Sequence, residues 1–274
     1  MTVHSPFSYS LGGFEISGFG IAVLFAFIIA QIVCSRELAR RGHDPAPIGE
    51  LIYWAAAGGI VGSKLYFAIL TRDWSSILSR GGFVFWGGLI GGILAVSAIV
   101  IRRKHGFHRI ADVAGMGIAA AYSVGRTGCW AVGDDYGRPW ASVLAVSFPE
   151  GAPPSTVQNM IADFAIIPPP DTLPGSVLSV HPTQLYETTM GFGMFLILWR
   201  LRDHEHEEGW LFGVYMVLAG VERFLIEFLR AKDDRFFGVL TMAQIIALAF
   251  VSLGAAWMYA RRATPQLSSF RQAE

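Results

Sequence analysis

An all-α, polytopic membrane protein is what this sequence predicts, and three observations carry that expectation. The first is composition: of 274 residues, 53% are hydrophobic and only 15% charged, with a mean hydropathy of +0.46. Soluble domains carry about a quarter charged residues, so this balance suits lipid better than water. The second is the spacing of apolar runs, several of which approach the roughly 20 residues a helix needs to cross the hydrocarbon core. The third is an uneven distribution of Lys and Arg between alternate connections, the pattern that orients a multi-pass chain.

Taken in order, seven candidate spans cover about residues 13–35, 49–70, 82–101, 111–133, 184–200, 209–229 and 238–260. Lys64 interrupts the second, Arg126 the fourth and the charges of 222–227 the sixth. One set of connections holds Arg36, Arg40, Arg41, Arg102, Arg103, Lys104, Arg109, Arg200, Arg202, Arg261, Arg262 and Arg271. The other holds Arg72, Arg80, Arg138, Arg230, Lys232 and Arg235. Twelve against six places the N-terminus outside and the C-terminus in the cytoplasm. No Lys or Arg occurs in the first 35 residues, so the first span is expected to stay as an anchor and not to be cleaved as a signal peptide.

The whole chain, 1–274, reads as a single integral membrane domain with one insertion, an extracytoplasmic cap at 134–182 between spans four and five. That connection holds nine of the 13 prolines. Its apolar content (Val143, Leu144, Phe148, Phe164, Ile166, Ile167) predicts an ordered cap. Cys34 and Cys129 lie in separate apolar segments, which predicts neither a disulfide nor a metal framework. Zero formal net charge offers no global argument for nucleic-acid binding.

Charges inside a bilayer cost at least a few kcal/mol, so each is a functional candidate. In "GRTGCWAVGDDYGR", Arg126 precedes Asp134 and Asp135 by about two turns, amid glycines that allow close backbone approach. Such a group suits an anion such as phosphate; an Arg–Asp pair fixing a helix end explains the spacing as well. In "VERFLIEFLRAKDDR", Arg223, Glu227 and Arg230 fall at i, i+4 and i+7 and predict one charged helical face. Glu227 then holds one arginine and leaves the other's donors for a ligand, or the three form a structural ladder. In "SVHPTQLYETT", Pro182 prepares a helix start and Thr183 is its predicted cap. His181, Gln184, Tyr186 and Glu187 make a polar front that capping does not explain. The glycines of "FWGGLIGG" and "GGIVG" match close helix packing, and "HEHEE" reads as a solvated turn.

Together, "GGLIGG", "GRTGC…GDDYGRP", "HPTQLYE" and "RFLIEFLR", in that order along seven spans, resemble the bacterial prolipoprotein diacylglyceryl transferases. The resemblance covers nearly the whole chain, and "HPTQLYE" is its most specific part. It implies a multi-pass enzyme of the bacterial cytoplasmic (inner) membrane that moves the diacylglyceryl group of phosphatidylglycerol to the lipobox cysteine of a prolipoprotein signal peptide, releasing glycerol phosphate. No cofactor, metal or nucleic acid is implied; the partners are the two substrates and membrane lipids. By the same resemblance Arg126 and Arg223 hold the phosphate and Glu227 orients Arg223. Asp134, Gly137, His181, Gln184, Tyr186, Trp86, Gly87, Gly88, Cys129 and Arg230 contribute to substrate binding.

Four positions depart from the family pattern. Trp86 stands where a histidine precedes the double glycine, Cys129 where the signature has asparagine, Phe19 where a tyrosine is usual and Lys64 where an arginine is usual. Asp134, Asp135 and His181 are then the candidates to accept the thiol proton. The competing readings are a divergent paralogue and a binder or transporter of anionic lipid, which would use the same arginines without activating a thiol.

Overall fold

The computed structural model describes residues 2–11, 14–79, 82–167, 172–231, 235–236 and 240–262. Among these, eight α-helices run along the chain: α1 (Gly18–Arg40), α2 (Pro47–Thr71), α3 (Phe85–Arg102), α4 (Phe107–Val132), the short α5 (Val157–Ala162), α6 (Thr183–Leu201), α7 (Trp210–Ile226) and α8 (Met242–Ala260). Every predicted span coincides with one of the seven long helices. Four of these, α1, α2, α3 and α8, are long and apolar enough to cross a membrane. Arg80, Lys232 and Arg271, counted above for orientation, lie outside the described residues, as do the prolines and aspartate of "IIPPPD".

Local chemistry sets the helix ends. α1 starts later than the predicted residue 13, because β2 (Ser8–Leu11) and β3 (Phe14–Ser17) pair antiparallel ahead of it, after the short β1 (Thr2–Val3). The Ser17 hydroxyl then accepts from the Gly20 N–H, a capping bond. The same helix outlasts its apolar run, since Glu37 pairs with Arg40 at i+3 and Arg41 at i+4. α8 opens on a capping box between Thr241 and Gln244.

The chain divides into two compact units, residues 31–114 and the remainder. In the 31–114 unit, Cys34, Leu38, Ile48, Leu51, Val100, Ile110 and Val113 form the apolar core, in which Cys34 is a buried packing thiol. α2 and α3 meet backbone to backbone. A β-carbon at Gly62 or Gly87 would collide with the other's carbonyl oxygen, and one at Gly58 would lie 2.6 Å from Gly91 O. The predicted small-residue packing is therefore real. Lys64, buried on α2, donates from Nζ to the Ser79 carbonyl at 2.5 Å and lies 4.5 Å from the Phe83 ring centre.

In the other unit the 134–182 connection has its own core of Tyr136, Val146, Phe148, Met160, Ile166 and Val180, joined by Ala231. A three-stranded patch orders it, with β1 parallel to β4 (Val146–Ser147) and β4 antiparallel to β5 (Ser179–Val180). Phe148 and Ile166 are buried as their apolarity suggests. Val143, Leu144 and Ile167 instead point outward, at 87%, 69% and 93% exposure. A last antiparallel pair joins β6 (Arg235–Phe236) and β7 (Leu240–Thr241). α7 packs closely on α8, where Gly213 leaves no room for a β-carbon beside Met258 and Gly254.

Candidate active site

Arg126 lies on the last two turns of α4, which ends in a glycine-terminated cap. Gly133 has φ +68°; its N–H donates to the Trp130 carbonyl and the Asp134 N–H to that of Cys129. Asp135 follows with φ 55°, a conformation that aspartate tolerates better than most residues. These two reversals turn the chain back, so that Asp135 Oδ2 accepts from Arg126 Nη1 at 2.9 Å.

Gly137 is the junction that assembles the rest. Its N–H donates to the His181 carbonyl at 2.8 Å, the Arg138 N–H donates to the Leu229 carbonyl at 2.8 Å, and Gly137 bridges to Arg230 as a β-pair. A β-carbon at Gly137 would sit 2.5 Å from Leu229 O and 2.7 Å from His181 Cβ, so only glycine fits. Three stretches far apart in sequence thereby lie side by side. Two backbone anchors hold the aspartates: Gln184 Nε2 donates to the Asp134 carbonyl at 2.5 Å, and Thr183 Oγ1 to the Asp135 carbonyl at 2.7 Å. Thr183 is therefore not the predicted cap. Pro182 occupies the cap position, Thr183 is already helical, and its hydroxyl points at the neighbouring turn.

Arg230 departs from its predicted place. α7 ends at Ile226 with Glu227 as its C-cap, and turns at 227–229 take Arg230 off the helix. The three charges therefore do not line one helical face. Arg230 Nη2 instead donates to Asp135 Oδ1 at 2.6 Å, with Glu187 3.8 Å and Glu227 3.9 Å away. One carboxylate thus bridges two arginines, and Glu187 on α6 approaches both, bonding Arg126 Nη2 through Oε2. Arg126 also donates to the Cys129 sulfur at 3.4 Å, while its Nε is buried without a hydrogen-bond partner.

Arg223 is situated differently. Its Nη2 donates to Glu227 Oε2 at 2.5 Å, and its side chain is 34% exposed, against 12% for Arg126 and 16% for Arg230. Among the described residues Glu227 is its one carboxylate partner, which leaves most of its five N–H donors open.

The polar groups outside the helices differ in proton affinity. Burial and the neighbouring Asp135 charge push Asp134 up to about 6. Burial also opposes the Asp135 charge, but Arg230 and Arg126 outweigh it and hold that carboxyl at about 2. His181 is lowered by burial; its ring stacks on Trp140 at 4.2 Å, and Nδ1 lies 3.5 Å from the Tyr186 hydroxyl. Cys129, Asp134 and Asp135 offer three ligand atoms within 4.8 Å of one another, yet both Asp135 oxygens already accept from arginines.

The structure thus brings together Arg126, Cys129, Asp134, Gly137, His181, Gln184, Tyr186, Arg223, Glu227 and Arg230. Trp86, Gly87 and Gly88 belong to the 31–114 unit. There Trp86 packs edge-on against Phe85 near the start of α3, and the two glycines meet α2. Glu187 belongs to the polar front marked in the sequence, whereas Tyr122 and Glu222, whose side chains meet at 3.0 Å beside it, were not singled out. Tyr122 precedes Arg126 by one helical turn, the spacing at which side chains meet, and Glu222 is an acid inside an apolar run. The Arg–Asp pair offered as one reading of the Arg126 stretch is present at Asp135, but its second arginine, Arg230, is not visible in the spacing.

A family model described as prolipoprotein diacylglyceryl transferase matches residues 6–260. Relatives carry the name phosphatidylglycerol–prolipoprotein diacylglyceryl transferase. The Clostridium tetani protein is 27% identical over 258 residues, covering 91% of this chain and 94% of its own length. That of Symbiobacterium thermophilum is 29% identical over 277 residues, covering 94% of each. For Solidesulfovibrio magneticus the figure is 28% over 292 residues, 98% of this chain and all of the relative. The match runs through every helix that builds the arginine cluster, so the chain belongs to the prolipoprotein diacylglyceryl transferase family.

Proposed function

We propose that the protein transfers the diacylglyceryl group of phosphatidylglycerol to the lipobox cysteine thiol of a prolipoprotein, with release of glycerol phosphate. The observation that carries this reading, beside family membership, is Arg223, tethered at one nitrogen and one-third open next to a braced arginine pair. Arg223 takes the lipid phosphate with its open donors, and Glu227 keeps the guanidinium in place. Charge grows on the phosphate oxygens as the C–O bond breaks, and a fixed guanidinium stabilises that change without reorganising. Arg126, engaged by Asp135 and Glu187, supplies the second positive centre. The thiol sulfur forms the new C–S bond, and the C–O electron pair leaves with the phosphate.

Asp134 takes the thiol proton in this scheme. Asp135 is held by two arginines and is too weak a base. Asp134 has a buried Oδ1 without a hydrogen-bond partner, and a proton affinity near the working pH. His181, Tyr186, Gln184 and Gly137 shape the floor beneath the substrate, and Cys129 lies under Arg126. All seven long helices cross a bacterial cytoplasmic membrane as one integral domain, N-terminus outside, C-terminus inside, and 134–182 forms the extracytoplasmic cap.

The test is a detergent assay of the purified protein with phosphatidylglycerol and a lipobox peptide, read as the thioether mass shift. Transfer to the Cys peptide and not to a Cys→Ser peptide is expected, with none by Arg223→Ala. Phosphatidylglycerol binding without transfer by a folded protein would mark a lipid binder instead.

A further inference from the structure

Behind the arginine cluster lies a buried acid that the mechanism above does not use. Glu222 on α7 is 6% exposed, and the Tyr122 hydroxyl of α4 lies 3.0 Å from its Oε1 and 3.2 Å from Glu187 Oε1. Gly191 permits this approach, since a β-carbon there would sit 2.9 Å from the Tyr122 ring. A tyrosine hydroxyl carries one hydrogen, whereas two carboxylates are acceptors only. One of the two carboxyl groups must therefore supply a second hydrogen for each contact to have its own.

We propose that Glu222 is a carboxylic acid in this protein, a positioning residue that acts through Tyr122 to keep Glu187 charged and aimed at Arg126. Glu222 donates to the Tyr122 oxygen, Tyr122 donates to Glu187 Oε1, and Glu187 accepts from Arg126 through Oε2. The proton belongs on Glu222 because Glu187 has two arginines within ion-pair distance, and Glu222 has none among the described residues. A buried carboxylate without a cationic partner takes up a proton in preference to holding charge.

The charge count points the same way. Arg126, Arg223 and Arg230 face five acids: Asp134, Asp135, Glu187, Glu227 and Glu222. Fully ionised, that cluster would repel an anionic phosphate; each proton stored in it moves the balance towards binding. The positioning role rests on the transferase reading, whereas the placement of the proton does not.

Infrared difference spectroscopy on the full-length protein in detergent tests this. Wild type minus Glu222→Gln is expected to show a carboxylic-acid C=O band at neutral pH. Tyr122→Phe, which keeps the ring, should shift that band by removing its hydrogen-bond partner. No acid band in a wild type whose Gln variant is folded would overturn the proposal. In the transfer assay, Glu222→Ala should raise KM for phosphatidylglycerol about tenfold, and Glu222→Gln, which mimics the neutral acid, should recover most of the loss. Equal impairment of both would mean that the charge is needed, and would also overturn it. An acid band in a protein that transfers nothing upholds the proton assignment and removes the transferase reading.

Discussion

Asp135 holds Arg126 through one oxygen and Arg230 through the other, at 2.9 and 2.6 Å. Removing it leaves two largely buried guanidinium groups competing for Glu187. Breaking a buried pair typically costs about 3–5 kcal/mol; since Asp135 is itself 38% exposed, about 2–3 is expected for Asp135→Ala. Thermal unfolding in a fixed detergent checks this, and an unchanged midpoint would show that the brace is redundant. Asp134 makes a different prediction. Its carboxyl is raised to about 6, so on acidification it takes up its proton near that value, at a higher pH than an ordinary aspartate does. If it receives the thiol proton, kcat falls on the acid side with a limb near 6. Asp134→Asn should lose most of the rate, and an intact acid limb in that variant would rule the role out.

At the scale of elements, glycines decide which helices can touch. Gly62→Val forces a side chain into the Gly87 carbonyl and should separate α2 from α3, costing about 1–3 kcal/mol by overpacking. Gly193→Ala on α6, where nothing lies within 4 Å, is the matched control and should leave the unfolding midpoint unchanged. Gly137→Ala is expected to damage the site more than the fold, because the overlap is with the Leu229 carbonyl and His181, on the two stretches that deliver Arg230 and Gln184. Transfer activity against retained helix content separates the two effects. The end of α7 was misread from its pattern. The i, i+4, i+7 spacing continues a helix that stops at Ile226, and Arg230 is drawn instead into a β-bridge with Gly137.

For the molecule as a whole, the orientation makes a direct prediction. A cysteine placed at Val143, which is 87% exposed, should react with a membrane-impermeant maleimide in intact cells; one at Glu205, between α6 and α7, should not. Cys34 and Cys129 are buried and should stay silent. The reverse pattern would invert the topology. Helix positions, charged interruptions and family motifs were legible along the chain because they are local: hydropathy over one span, or a string such as "HPTQLYE", needs no knowledge of what packs beside it. The partners were not. Arg230 and Asp135 are 95 residues apart, Tyr122 and Glu222 are 100 apart, and no periodicity links them. Their meeting depends on two positive-φ residues after α4, a glycine without room for a β-carbon and the early end of α7. Sequence alone therefore determined that charges sit within apolar segments; which carboxylate neutralises which arginine, and which arginine is left open, followed from the folded backbone, because ion pairing acts across space over a few ångströms and not along the chain.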